Sequence, residues 1–372
     1  MNNKRYPRIL IDLNAFNSNI NYIREKFKNS KIILPVKANA YGHGDIIIAK
    51  EAEEIGIEYL AVARVYEGIR LRENGITVPI IDFGVEYDSD IKLAIECNIE
   101  LSVSMLDNIK EIEKYAKISN KSVPLHLKVN TGMNRLGVNL EDAFNLASYI
   151  YNSRYLKLKS IYTHFARSDD SLEFTKFQIK KINELRNNLT KKNIIPEFYH
   201  LFNSGAIMGD YDHDENDYLR PGIMAYGYSP FKDNDKDKFL KPVMTFVSRV
   251  IHLNKVKKNS GVSYNHTFVT NKDTILATIC AGYGDGIFRS LSNKLKVKIN
   301  NNIYNQIGTI TMDLMVIEVD KEVKIGDEVY IFGNKQNAFY NAKDLATLCN
   351  TISYEITTNI SERVERIAIS DN

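Results

Sequence analysis

Lys37 is the first residue whose setting invites chemistry. It ends the apolar run Leu34-Pro35-Val36 and is followed by Ala38-Asn39-Ala40-Tyr41-Gly42-His43-Gly44. An amine leaving an apolar strand is partly desolvated, which disfavours its charged form and lowers its pKa. That is the state in which a lysine forms a Schiff base with a carbonyl. Taken alone, a lysine at a strand end more often snorkels to water. Its neighbours shift that balance, because Tyr41 and two glycines make a turn where a hydroxyl and the backbone can approach an anion. Two later tetrapeptides, Asn203-Ser204-Gly205-Ala206 and Arg220-Pro221-Gly222-Ile223, have a related character. Ser204 offers a hydroxyl, while Gly222 and Ile223 offer backbone N–H groups, a set that suits a phosphate monoester.

The elements that must position these groups follow from periodicity. Short β-branched runs alternate with longer amphipathic stretches over roughly the first 230 residues. The runs are Ile32–Val36, Tyr59–Ala63, Pro79–Phe83, Ile99–Ser104, Leu125–Asn130, Lys159–Phe165, Phe198–Phe202 and Tyr218–Arg220. Segments such as Asp45–Glu54 and Phe174–Leu189 place apolar residues at i, i+3 and i+4, the helical spacing. Alternating strand and helix predicts right-handed βαβ units and a parallel sheet. Eight units predict a closed (β/α)8 TIM-type barrel, whose reactive groups sit at the C-terminal strand ends. A doubly wound sheet is the alternative, but no strand–GxGxxG–helix unit stands where it would need one.

The pattern changes after Ser229. Phe231–Lys241 is dense in Asp and Lys and reads as a linker, so the barrel is assigned to residues 1–233 and a C-terminal, mainly β domain to 234–372. In the second domain strands are predicted at Met244–Leu253, Asp273–Cys280, Leu295–Ile299, Ile303–Ile310, Leu314–Val319 and Glu328–Phe332. Only Ala342–Thr347 and Ile352–Ile360 read as helical there.

Composition narrows the class of protein. The net charge is +3, from 49 basic and 46 acidic residues, with no basic patch interleaved with aromatics, so nucleic-acid binding has no support. No apolar run reaches the length of a membrane span, and Met1–Arg8 is too polar to open a signal peptide. A cytoplasmic location is therefore expected. Cys97, Cys280 and Cys349 are odd in number and widely spaced, which excludes a disulfide framework and shows no zinc-ligand pairs. No metal is expected.

The motifs taken together are not anonymous. PVKANAYGHG, VNTGMNRLG, YTHFARSDD, FNSGA, LRPGIMAYG, VSYNHTF, AGYGDG, TMDL and TISYEI occur in this order from Lys37 to about Arg363. They resemble the alanine racemase family of fold-type III pyridoxal-phosphate enzymes. The resemblance implies pyridoxal 5'-phosphate as cofactor, a small amino acid as substrate and a homodimer with shared active sites. By the same resemblance Lys37 holds the cofactor covalently and is one acid–base, while Tyr264 is the second, acting on the partner subunit's site. Inversion needs two groups on opposite faces, and a phenol is a poor base unless its phenolate is stabilised. His164 matches the residue beside that tyrosine, and Arg220 the one facing the pyridine nitrogen. Arginine keeps its proton, so the ring nitrogen would stay unprotonated. Arg135 matches a residue that bonds the cofactor's phenolic oxygen and faces the substrate carboxylate. Lys128 matches a lysine carbamylated in many relatives. Tyr41, Ser204, Gly222, Ile223 and Tyr354 match phosphate contacts. Met312 matches a backbone donor to the substrate carboxylate, Asp313 a supporting group, and Tyr283 an entrance residue.

Two departures stand out. Asn134 precedes Arg135 where the family is usually glycine-rich, and Thr309-Ile310-Thr311-Met312-Asp313 replaces the common Arg-Val-Cys-Met-Asp. They bear on substrate range. A racemase preferring serine or a broader set of amino acids, a non-catalytic pyridoxal-phosphate-binding protein and a fold-type III decarboxylase remain as alternatives.

Overall fold

A computed structural model describes residues 5–232 and 238–370. The expected boundary between 233 and 234, with part of the Phe231–Lys241 linker, lies outside the described residues.

The chain opens with β1 (Arg8–Asp12), then enters the parallel sheet. That sheet comprises β2 (Ile33–Pro35), β3 (Tyr59–Val62), β4 (Ile80–Asp82), β5 (Ile99–Val103) and β6 (Val123–Asn130). β7 (Val138–Asn139) pairs only with β6, and β8 (Leu156–Tyr162) and β9 (Phe198–His200) complete the path β2-β3-β4-β5-β6-β8-β9. The eighth run, Tyr218–Arg220, forms no ladder of its own. It closes the barrel through single parallel bridges, Ile32 to Leu219 and Asn203 to Arg220. Leu219 accepts from Ile33 N–H and donates to the Lys31 carbonyl, both at 2.8 Å. The result is the TIM-type barrel predicted from eight units.

Helices cover the barrel because each has a defined start and an apolar stripe. Asp12 caps the helix Leu13–Lys26 by accepting from Ala15 N–H at 2.8 Å, and Phe16, Ile20 and Ile23 bury its inner face. Ser171 caps Leu172–Thr190, and the predicted Asp45–Glu54 helix forms with those bounds. Alternation along the strands then splits side chains between two faces. Leu34, Leu60, Val62 and Ile80 join the main core under the helices. Ile33, Tyr59, Ala61, Ile81 and Phe198 form a separate cluster inside the barrel.

The second domain is an antiparallel ring. β10 (Met244–Val256), β13 (Thr274–Ile279), β14 (Lys296–Ile299), β15 (Asn302–Ile307), β16 (Met315–Val319) and β17 (Glu328–Phe332) run in the order β13-β16-β15-β14-β17-β10, and β10 also pairs with β13. A two-stranded hairpin, β11 (Gly261–Val262) and β12 (Phe268–Val269), projects from it. Helices Ala342–Cys349 and Ser353–Thr358 follow, then β18 (Glu365–Ile369).

One sequence assignment is corrected here. Residues 1–233 do not all belong to the barrel, because β1 pairs with β10 and β18 in the second sheet. Ile9 and Ile11 are fully buried there, and Arg8 reaches Glu328 at 2.7 Å. Burial of that apolar pair ties the first and last strands together. The sequence pattern does not announce β18 either, whose partner is β1. Among the described residues, no helix is long and apolar enough to cross a membrane.

Candidate active site

The segment after β2 has an unusual backbone. Ala38, Asn39, Ala40 and Tyr41 all lie at φ between 52° and 55°, a left-handed turn. L-residues avoid this region at a cost of roughly 1–2 kcal/mol each, so the surroundings must hold the turn in place. The Glu67 carboxylate accepts from Ala38 N–H at 2.7 Å and from Ala63 N–H at 2.8 Å. Asn39 accepts from Asp45 N–H at 2.9 Å, joining the turn to the next helix. His43 Nδ1 meets the Ala40 and Tyr41 carbonyls at 3.0 and 2.9 Å. Gly42 lies so close to helix Ser353–Thr358 that a Cβ would sit 1.9 Å from the Thr357 carbonyl oxygen.

This turn sets Lys37 at the barrel mouth, half-buried. Burial lowers its pKa most, and Arg135 and then Arg220 add to the fall, while Glu67 opposes it. Burial likewise pushes Lys128 down to about 8, helped by Arg135, Arg220 and Lys37. Desolvation and the same cations hold His164 well below the usual imidazole range. Four cationic side chains thus share one small region, and a bound anion there would relieve their mutual repulsion.

Arg220 is the most constrained of them. Nη1 donates to His200 Nδ1 at 2.8 Å and to the His200 carbonyl, and Nη2 donates to the Thr163 and Leu201 carbonyls at 2.7 and 3.1 Å. His164 Nδ1 stands 3.5 Å from Nη2. The remaining donor, Nε–H, has no partner among the described residues. Burial lowers the guanidinium to about 10, so it stays charged near neutral pH.

Tyr41, Ser204 and Gly222 meet at the ends of β2, β9 and the eighth run. A Cβ on Gly222 would lie 2.8 Å from the Tyr41 hydroxyl and 3.7 Å from Ser204 Oγ. The missing side chain therefore leaves a cradle between two hydroxyls and the adjoining backbone. Met224 N–H points to Ser204 Oγ at 3.3 Å. Tyr354 packs on Tyr41 at 5.8 Å between ring centroids, so this residue of the second domain reaches its own chain's barrel. Ile223 is fully buried beside the cradle.

Tyr264, Tyr283, Met312 and Asp313 gather elsewhere. Among the described residues no hydrogen bond or ring contact joins them to Lys37, and Tyr264 is 70% exposed. Tyr264 sits in a tight turn between β11 and β12, with Ser263, Asn265 and His266 all at positive φ. Thr309 grips the turn, donating to the Tyr264 carbonyl at 2.9 Å while its own carbonyl accepts from Ser263 Oγ at 2.6 Å. Asp313 pairs with Arg363 at 2.9 Å, and Arg363 also holds the buried Asp285 at 2.7 Å. The glycines of the GYGDG loop serve close packing: a Cβ on Gly282 would lie 2.3 Å from the Thr311 carbonyl oxygen. Asn134, the departure next to Arg135, adopts φ 57°, which asparagine tolerates better than most residues.

The motifs do not announce the supporting side chains: Glu67 holds the turn, His200 holds Arg220, Ser160 links His200 to His126, and Tyr162 donates to Ser102 at 2.9 Å. A signal was present in part, since polar residues alternate with apolar ones in HLKV, whereas in KSIY Lys159 and Ser160 stand side by side.

Known proteins resemble this chain along its length. The profile of the alanine racemase N-terminal domain matches residues 11–230, and that of the C-terminal domain matches 243–368. An alanine racemase of Treponema denticola is 39% identical, covering 99% of both chains. The structure of the Clostridium difficile 630 alanine racemase aligns with a TM-score of 0.93 at 33% identity, covering 99% of this chain and 97% of that one. The same enzyme in complex with cycloserine aligns at 0.91 and 32% identity, with the same coverage. The chain belongs to the alanine racemase family.

Proposed function

We propose that this protein interconverts L- and D-alanine with pyridoxal 5'-phosphate held at Lys37, supplying D-alanine for cell-wall peptidoglycan. One observation carries the reading: a desolvated lysine amine stands at the barrel mouth within electrostatic reach of Arg135 and Arg220, with the Tyr41–Ser204–Gly222 cradle at the neighbouring strand ends. Those residues fit the cofactor. Tyr41, Ser204, Ile223 N–H and Gly222 N–H would hold its phosphate, helped by Tyr354. Arg220 Nε–H would face the ring nitrogen and Arg135 the phenolic oxygen. When bound, the group withdraws electrons from the substrate's α-carbon and acidifies its C–H bond.

The chain's own residues do the rest. The Lys37 amine takes or returns the α-proton on one face. Tyr264 of the partner subunit does the same on the other, which makes a homodimer part of the active unit. The exposure of Tyr264, Tyr283 and Met312 in the single chain accords with that arrangement. Arg220 donates a hydrogen bond and keeps its proton, which limits charge build-up on the ring and discourages side reactions. Arg135 and Met312 N–H hold the substrate carboxylate, with Asp313 steadying the Met312 loop through Arg363. His164 orients the Tyr264 hydroxyl, and Tyr283 lines the entrance.

Alanine is favoured over serine because both threonines of the altered motif are occupied. Thr309 bonds the Tyr264 carbonyl and Thr311 the Leu314 carbonyl at 2.8 Å, leaving no new donor for a substrate hydroxyl. A chiral assay against a panel of L-amino acids, with added cofactor, decides the matter. D-alanine should form fastest. Faster D-serine formation would establish the broader racemase. No product from any substrate, with no visible absorption change on adding pyridoxal phosphate, would end the reading.

A further inference from the structure

A chain of buried polar groups runs diagonally through the barrel and ends on Arg220. It begins at Glu100 near the start of β5, whose carboxylate lies 2.8 Å from His126 Nε2 on β6. His126 Nδ1 meets Ser160 Oγ on β8 at 2.6 Å, and Ser160 Oγ meets His200 Nε2 on β9 at 2.9 Å. His200 Nδ1 then meets Arg220 Nη1 at 2.8 Å. His126, Ser160 and His200 are fully buried.

The two ends fix the direction of every bond. Arg220 can only donate, so His200 Nδ1 is the accepting nitrogen and Nε2 carries the hydrogen. Nε2–H donates to Ser160, whose own hydrogen goes to His126 Nδ1. His126 Nε2–H then donates to the Glu100 carboxylate, which can only accept. His200, Ser160 and His126 each use one donor and one acceptor along the chain, and none of their bridging protons is left without a partner. Reversing the middle would point the Ser160 hydroxyl at a nitrogen that already carries a hydrogen. The ring of Tyr162 lies on His200 at 4.4 Å and 12°, which prevents the imidazole from turning over.

We propose that Glu100, His126 and Ser160 are positioning residues for the reaction: they lock His200 in one tautomer, and His200 in turn holds Arg220 with its Nε–H presented to the cofactor's ring nitrogen. Aligned donors polarise one another, so the carboxylate at the far end strengthens the grip on Nη1. With both terminal nitrogens tied to the barrel, Arg220 cannot swing toward Lys128 or Lys37, and the free N–H stays at the mouth. The role assigned to Arg220 rests on the cofactor reading above; the hydrogen-bond chain does not.

The test uses Ser160→Ala, which removes the middle link without adding bulk, and Glu100→Gln, which keeps an acceptor but removes its charge. Long-range proton–nitrogen correlation spectra of the labelled holoenzyme report which ring nitrogen of each histidine is protonated. The parent protein should show His200 and His126 protonated at Nε2 only. Ser160→Ala should blur or shift the His200 pattern, lower kcat about tenfold, the size of one lost hydrogen bond, and leave KM within about twofold. Glu100→Gln should fall between. Pyridoxal-phosphate affinity of the apo protein should also drop several-fold in Ser160→Ala. A parent His200 protonated at Nδ1 overturns the proposal. So does a Ser160→Ala variant with unchanged His200 signals, cofactor affinity and kcat. If the parent shows the expected tautomers but racemises nothing, the functional reading fails and the cofactor affinity alone judges the relay, with an unchanged affinity counting against it.

Discussion

The Thr309 hydroxyl donates to the backbone carbonyl of Tyr264 at 2.9 Å, across 45 residues of sequence. The turn it grips holds three residues at positive φ, a costly conformation that needs outside support. Thr309→Val keeps the shape and loses the bond. Steady-state kinetics should show kcat reduced about tenfold with KM nearly unchanged, and Thr309→Ser should recover most of the loss. In deuterated water, one enantiomer should still exchange its α-hydrogen with retained configuration, because the Lys37 face is untouched. Equal loss of exchange and inversion for both enantiomers would refute this role.

Gly42 and Gly75 separate two kinds of glycine. Both have φ near 84°, at 83° and 85°, but a Cβ on Gly42 would strike the Thr357 carbonyl whereas one on Gly75 would meet nothing within 4 Å. Gly75→Ala should cost about 1 kcal/mol, the conformational penalty alone. Gly42→Ala should cost roughly 2–4 kcal/mol and loosen cofactor binding, because helix Ser353–Thr358 and the left-handed turn must part. Denaturant unfolding of both variants checks the order, and similar losses would deny the contact its importance.

Lys128 gives a pH dependence with a definite sign. Its folded pKa is about 8 against an ordinary 10.5, so between those values the unfolded chain holds more protons. Stability of the apo protein should therefore rise with pH across that window. Lys128→Met, freed of the buried charge, should be the more stable form below pH 8 and lose its advantage as pH climbs. Carbon-dioxide-free buffer is needed, because a neutral amine is the form that takes up carbon dioxide. Adding ¹³C-bicarbonate should produce a carbamate resonance in the parent protein and none in Lys128→Met.

Shared sites predict complementation. Lys37→Ala and Tyr264→Ala chains, each inactive alone, should regain part of the activity when mixed and refolded together, since a heterodimer holds one site with both groups intact. Heterodimers that form, by mass or tag capture, yet stay inactive would rule out the exchange of Tyr264 between subunits.

Much of the fold was legible along the chain. Alternation of β-branched runs with helical spacing marked seven barrel strands, and helix Asp45–Glu54 needed no correction. The eighth run is too short to show by pattern how it pairs, and only closure of the ring gives Leu219 its partners. β1 escaped because five residues at the start of a chain carry no hint of partners lying more than 230 residues away. The lysine and the hydroxyls around Gly222 could be picked out by type, since few apolar runs end in such groups. Their supports could not. Glu67 matters through its bond to Ala38 N–H, and a glutamate in the first turn of the helix Val65–Glu73 gives no reason by itself to be singled out.

The residues themselves determined the chemistry available: an amine, a phenol and fixed guanidinium groups, on a barrel whose period is written in hydrophobicity. Folding decided which of them share a field. Lys37, Lys128, Arg135 and Arg220 are scattered over more than 180 positions, and only closure of the ring buries the two amines and sets the other cations near them, so that both pKa values fall. The direction of the hydrogen bonds from Arg220 to Glu100 is likewise a property of assembled strands. Pattern along a chain reports which surface a side chain takes, whereas proximity across strands depends on register, and register exists only once the backbone has paired.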